Sequence, residues 1–211
     1  MFKATTAPQD PMILQFVPIL TQACEILREE YQQYCSGAAF DIERKKDDSP
    51  VTQADYRVNT FLTQVLAEIS DLPLLSEEGK QEDRQAWSAF WLLDPLDGTK
   101  EFLYQRPEFT INLSLVKDNL TTFAILAIPA QQLIYFCPEQ GMPLKYDIQQ
   151  DCWHEYFSAS QQDTVHIGLS QSSQKKPKYA AYLESLAKFT EFEEFKAGSA
   201  YKFCMILEDQ V

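Results

Sequence analysis

Three apolar runs rich in β-branched and aromatic residues, Phe109 to Val116, Thr121 to Ile128 and Leu133 to Cys137, follow one another with only short turn segments between them. Asp118-Asn119 and Pro129 separate them, and such residues reverse the chain rather than extend it. The spacing predicts an antiparallel meander, and a sheet of this kind needs helices or a second sheet to cover its apolar face. The preceding sequence supplies them. From Pro11 to about Tyr34 the residues Ile13, Leu14, Val17, Leu20, Ile26, Leu27, Tyr31 and Tyr34 recur at largely helical spacing, with Pro18 a candidate kink. Beyond a polar stretch, Glu43 to Ser49, the residues Val58, Phe61, Leu62, Val65, Leu66 and Ile69 mark a second helix ending near Ser70.

Short apolar runs at 72–75 and 90–93 read as buried strands. Each is expected to deliver carboxylates just beyond its carboxyl end, Glu77 and Glu78 after the first and Asp94 and Asp97 after the second. A strand at Val165 to Leu169, a helix around Lys178 to Lys188 and a closing helix from Ser199 to Glu208 complete an α/β layered pattern without repeats. A chain of 211 residues, 45% hydrophobic, has material for one sizeable domain.

Eighteen basic residues against 31 acidic ones leave a formal charge of −13, which repels nucleic-acid phosphates and anionic lipid headgroups. Duplex nucleic acid is therefore an unfavourable partner, whereas a small phosphorylated molecule remains accessible if cations stand between it and the carboxylates. The five cysteines include no Cys-x-x-Cys pair, and the start of the chain shows no signal-peptide pattern. With no run long enough to span a membrane, these features lead us to expect a reducing, cytoplasmic setting. The two histidines, His154 and His166, are isolated, which gives little support to a zinc site or a Ser-His-Asp triad.

The segment Asp94-Pro95-Leu96-Asp97-Gly98-Thr99-Lys100-Glu101-Phe102 concentrates the chemistry. An ordinary turn accounts for Pro and Asp-Gly equally well when the segment is taken alone. With Glu77 nearby, Asp94, Asp97 and the Leu96 carbonyl offer the oxygen ligands that a hard cation such as Mg²⁺ takes. Two such ions roughly 3.5–4 Å apart clamp the attacking and leaving oxygens of a phosphoryl displacement and acidify a bound water. Gly98 lets the backbone approach closely, so the amides of Gly98 and Thr99 can cradle a phosphate. Thr99 can orient the water, and Asp55, if folded close by, can act as the base behind it.

Four segments in order, Ser49-Pro50-Val51-Thr52-Gln53-Ala54-Asp55, Leu75-Ser76-Glu77-Glu78, the DPLDGTKEF run, and Gly198-Ser199-Ala200-Tyr201-Lys202-Phe203-Cys204, resemble the inositol monophosphatase superfamily. The likeness runs from about residue 12 to the end and is strongest to the bacterial CysQ-type branch of 3'(2'),5'-bisphosphate nucleotidases. It implies a layered αβαβα sandwich in a single domain, with a metal-site half at about 1–160 and an incomplete C-terminal half at about 161–211. It makes Glu77, Asp94, Leu96 and Asp97 the Mg²⁺ ligands, and Asp55 and Thr99 the pair that activates water, with Glu78 beside them in the catalytic set. The substrate is expected against Glu77, Leu96, Asp97, Gly98, Thr99, Ser199 and Lys202.

In this branch a Ser and a Lys at the positions of Ser199 and Lys202 contact the phosphate and sugar, and the inositol branch lacks the Lys. The implied reaction is hydrolysis of the 3'-phosphate of 3'-phosphoadenosine 5'-phosphate to AMP, which clears a by-product of sulfate activation. Alternatives are inositol or sugar phosphate hydrolysis and an inactive relic that only binds metal or substrate. The sequence departs from the branch at Ser170-Gln171-Ser172-Ser173, where a Ser-Arg-Ser-His stretch is usual. Family members also continue past the last helix into a Trp-Asp segment whose Asp ligates the second metal. The expectation is therefore a chain ending before that segment, with a closing helix apolar on nearly all sides and a tendency to self-associate through it. Peripheral attachment at the inner face of a membrane is a further property that the family likeness implies.

Overall fold

The computed structural model describes residues 1–79, 86–157, 164–171, 177–198 and 200–210. Its first half is built on two long helices, α1 (Pro11–Cys35) and α2 (Gln53–Ile69). Asp10 caps α1 by accepting the Met12 amide at 2.9 Å, and the proline at the first helical position has no N–H of its own to leave unpaired. The helix runs unbroken through Pro18. The helical spacing read from the sequence holds because Ile13, Phe16, Leu20, Ala23, Cys24 and Leu27 form one buried stripe. On α2 the stripe is Ala54, Val58, Leu62 and Leu66.

These stripes cover one face of an eight-stranded sheet in the order β1-β10-β9-β8-β7-β6-β5-β4. Its strands are β1 (Phe2–Thr5), β4 (Leu74–Ser76), β5 (Ala89–Asp97), β6 (Thr110–Lys117), β7 (Leu120–Ile128), β8 (Leu133–Cys137), β9 (Leu144–Asp147) and β10 (Cys152–Tyr156). The meander β6-β7-β8 is antiparallel as expected, and Asp118 and Asn119 turn it with φ of 50° and 64°. Alternate residues Trp91, Leu93, Ile111, Leu113, Phe123, Ile125, Ile134 and Phe136 join the helix stripes in one core. Burial of each large apolar side chain there stabilises the fold by roughly 1.5–3 kcal/mol.

The opposite face carries Leu92, Asp94, Asn112, Ser114, Leu126, Tyr135 and Cys137, which line an open depression of about 840 Å³. The closing helix, α5 (Tyr201–Leu207), leans on this face through Cys204 against Ile128 and Tyr135. The Tyr135 hydroxyl and the Lys145 ammonium both donate to Glu208, at 2.8 and 2.7 Å. Phe203 and Ile206 of α5 are 64% and 55% exposed, so the helix is covered on one side only. A separate parallel pair, β11 (Val165–Leu169) and β12 (Phe192–Lys196), accompanies α4 (Pro177–Leu186).

Three local expectations change. The polar stretch 43–49 is a hairpin, β2 (Ile42–Arg44) with β3 (Pro50–Thr52), whose three-residue strands are too short to show alternation. The strands β1, β9, β10 and β12 had no counterpart in the sequence reading. Asp94 and Asp97 do not follow their strand but lie within it: β5 continues to Asp97 and pairs Asp94 with Asn112 and Asp97 with Thr110.

Candidate active site

Two residues three apart on a regular strand point to opposite faces. Between Asp94 and Asp97 the strand β5 advances three residues while its partner β6 advances two, from Asn112 to Thr110. The extra residue is a β-bulge, which re-aims side chains, and it allows both carboxylates to turn toward the same side. Burial, followed by the charges of Glu77 and Asp97, pushes the Asp94 carboxyl up to about 8. The Leu96 amide donates to Asp94 Oδ1 at 3.2 Å. Glu77, just past β4, is fixed by its own amide, which donates to the Leu93 carbonyl at 3.0 Å.

Gly98 has φ of +91°, which an L side chain rarely adopts. It opens the short helix α3 (Thr99–Leu103). The Thr99 hydroxyl lies 3.4 Å from Asp55 Oδ1 and 3.2 Å from the Leu96 carbonyl oxygen. Asp55 is the third residue of α2, and its Oδ2 accepts both the Thr52 amide, at 2.8 Å, and the Thr52 hydroxyl, at 2.6 Å. It is 2% exposed, and burial holds its carboxyl up at about 6 despite these bonds.

Lys45, in the β2–β3 hairpin, reaches across to donate to Glu77 at 2.7 Å and to Glu78 at 2.6 Å. Burial pulls the Lys45 ammonium down, but the hydrogen bonds and charges of the two glutamates together outweigh it and raise it. Glu78 is thereby paired while nearly buried, its side chain 6% exposed. Nothing in the pair Lys45-Lys46 distinguishes this lysine in the sequence from a solvated one.

Asp97 faces the start of α5, where its Oδ2 accepts the Ala200 amide at 2.7 Å. Beside it the Gly198 amide donates to Glu108 at 2.7 Å. A Cβ at Gly198 would stand 2.3 Å from the Glu108 carbonyl oxygen, so only glycine lets the two segments meet. Sequence reasoning missed Glu108. Lys202 Nζ donates to Ser170 Oγ at 3.3 Å and to the Gly198 carbonyl at 3.1 Å. Burial lowers its proton affinity, although Asp97, Glu101 and Glu108 pull the other way. Ser199 lies outside the described residues.

Asp55, Thr99, Leu96, Asp94, Glu77 and Glu78 are thus linked in one place by hydrogen bonds or charge, with Asp97, Gly98 and Lys202 toward α5. In this arrangement no three acidic, histidine or cysteine side chains among the described residues close on a point as a coordination shell does. The donors nevertheless fit a hard divalent cation in kind. All are oxygens, and Asp94, whose carboxyl is raised first by burial and then by the charges of Glu77 and Asp97, would be stabilised in its ionised form by a cation beside it.

The sequence profile described as the inositol monophosphatase family matches residues 9–211. The 3'(2'),5'-bisphosphate nucleotidase CysQ of Salmonella typhimurium is 31% identical over 204 residues, covering 91% of this chain and 78% of the relative. The protein of the same name from Escherichia coli K12 is 30% identical over the same shares. Among solved structures, CysQ from Bacteroides thetaiotaomicron superposes with a TM-score of 0.71 at 26% identity, over 90% of this chain and 74% of its own. The Thermotoga maritima IMPase, at 18% identity, shares the fold with a TM-score of 0.72, over 95% of this chain and 73% of its own. With the family profile matched over nearly its whole length, this α/β chain belongs to the inositol monophosphatase family.

Proposed function

We propose that the chain hydrolyses the 3'-phosphate of 3'-phosphoadenosine 5'-phosphate to AMP, using Mg²⁺ held by Glu77, Asp94, Asp97 and the Leu96 carbonyl. One observation carries the reading: the Thr99 hydroxyl stands between a buried carboxylate, Asp55, and the edge of a carboxylate cluster. A hydroxyl so placed passes its proton toward Asp55 and leaves its oxygen free to accept one from water. Mg²⁺ held by Glu77, Asp94, Asp97 and Leu96 would offset the negative charge of the phosphate and would make a nearby water more acidic.

The water oxygen forms a new bond to phosphorus as the bond to the 3'-oxygen breaks, and the leaving oxygen takes up a proton, giving AMP and inorganic phosphate. The left-handed Gly98 brings its own and the Thr99 amide close enough to hold the phosphate. Glu78, fixed by Lys45, keeps the carboxylate wall in place. Lys202 and Ser199 are assigned to the substrate's phosphate and sugar. The nucleotide preference draws on Lys202 and on the relatives named as bisphosphate nucleotidases.

Gln171, which stands where the branch usually carries an Arg, favours a second reading in which an inositol or sugar phosphate is the substrate. The five cysteines are all free, which supports a cytoplasmic setting, and among the described residues no helix is long and apolar enough to cross a membrane. Phosphate release from 3'-phosphoadenosine 5'-phosphate, an inositol monophosphate and a sugar phosphate, each with Mg²⁺ and with chelator, tests the proposal. Mg²⁺-dependent release fastest from the nucleotide is expected, and release equal in chelator would refute the reading.

A further inference from the structure

Glu30 lies in the last third of α1 and is 1% exposed. A carboxylate so buried is costly unless hydrogen-bonded or paired. Both of its partners come from the start of α2. Gln53 Nε2 donates to Glu30 Oε2 at 2.6 Å, and Arg57 Nη1 donates to Oε1. Gln53 is the first residue of α2, and its contacts do not stop at Glu30. Its amide donates to the Asp41 carbonyl at 3.1 Å, while its Oε1 accepts the Asp41 amide at 3.1 Å. The glutamine therefore clasps the root of the β2–β3 hairpin with one end of its side chain and Glu30 with the other.

This clasp sits next to the catalytic pair. Ile42, after Asp41, is paired with Thr52, before Gln53, and Thr52 supplies the two donors that fix Asp55 Oδ2. The Asp55–Thr99 contact, at 3.4 Å, is already longer than the 2.5–3.0 Å usual for hydroxyl donors. A few tenths of an ångström more would break it. We propose that Glu30 is a positioning residue which, through Gln53, holds the first turn of α2 and so the reach of Asp55 to Thr99. The catalytic side of this inference rests on the proposed function.

A purely structural Glu30 would bolt α1 to α2 through Arg57 and would make Gln53 dispensable. Three variants of the full chain separate the two, Gln53→Ala, Glu30→Gln and the exchange Glu30→Gln with Gln53→Glu. Each is followed by kcat and KM for phosphate release, by melting, and by hydrogen exchange at the Thr52 amide. We expect Gln53→Ala to lower kcat about tenfold or more, the scale of a sub-ångström to 1 Å misplacement. KM should stay close to that of the parent, while the melting temperature falls by roughly 2–12 °C because one buried Glu30 oxygen loses its donor.

In that variant the Thr52 amide should exchange faster, and the exchanged pair should restore both kcat and protection by putting the carboxylate and the amide in each other's places. Gln53→Ala keeps the Glu30–Arg57 pair, so the test stands even if Glu30→Gln fails to fold. Unchanged kcat and unchanged Thr52 exchange in Gln53→Ala would overturn the proposal. So would a loss that follows melting temperature alone and is not restored by the exchange. If the parent releases no phosphate from any substrate while Gln53→Ala still speeds exchange at Thr52, the positional link is upheld and the proposed function fails on its own.

Discussion

Replacing Asp55 by Asn should make the protein less active and more stable, and the gain should depend on pH. The ionised carboxylate is buried, 2% exposed, and it survives on two bonds from Thr52 and a long one from Thr99. Raising a carboxyl from its ordinary 3.8 to about 6 means that ionisation costs the folded state roughly 3 kcal/mol more than the unfolded chain. Because the folded value is the higher one, the contribution of Asp55 to the parent's stability is fully present below about pH 4 and is lost as pH rises through about 6.

Asparagine keeps an acceptor for Thr52 and carries no charge, so it escapes that loss. Its advantage should approach about 3 kcal/mol at pH 8 and shrink to about 1 kcal/mol near pH 4.5. For a chain of this size, that is roughly 6–12 °C in melting temperature at pH 8. Urea or thermal unfolding of both proteins in chelator at the two pH values is the assay. A variant no more stable than the parent at pH 8, or equally favoured at both pH values, would show that burial does not set this carboxyl's proton affinity.

Four further outcomes are expected. Thr99→Ala should reduce turnover about 10²-fold while leaving the melting temperature nearly unchanged, and normal turnover would refute its role. Gly198→Ala should cost about 1–3 kcal/mol, because the new Cβ meets the Glu108 carbonyl at 2.3 Å; an unchanged melt would contradict this contact. Native protein treated with an alkylating reagent at pH 8 should label the exposed Cys35 and Cys137 and spare Cys24, whose thiol burial pushes up to about 12; mass mapping reads the result. Phe203→Ser with Ile206→Ser should reduce concentration-dependent association in sedimentation experiments without lowering stability, since both side chains are mostly exposed.

The two long helices and the β6–β7–β8 meander were legible in the sequence because each buries a continuous stripe long enough to show its period. Leu144–Asp147 and Phe192–Lys196 were not, since four or five residues of mixed polarity, LKYD and FEEFK, carry too little periodicity to separate a strand from a loop. The β2–β3 hairpin was missed for the same reason. At the site, the local density of Asp, Gly and Thr in residues 94–99 announced itself. Its reading as a turn failed because the bulge that gathers Asp94 and Asp97 depends on pairing with β6, a partner that local sequence does not reveal. Lys45, Glu108 and Glu30 were invisible for a different reason. A single charged residue looks the same in sequence whether it is solvated or clasped by a distant segment, and only tertiary contact made the distinction.

Calorimetric titration of Mg²⁺ into the parent and into Asp94→Asn, with both shown to be folded, addresses the central claim that the Glu77, Asp94 and Asp97 carboxylates form a divalent-cation site. Asp94 is the residue that feels both of the others, so its replacement should abolish most of the binding heat. Equal Mg²⁺ affinity in the two proteins, or no binding by the parent, would contradict the account.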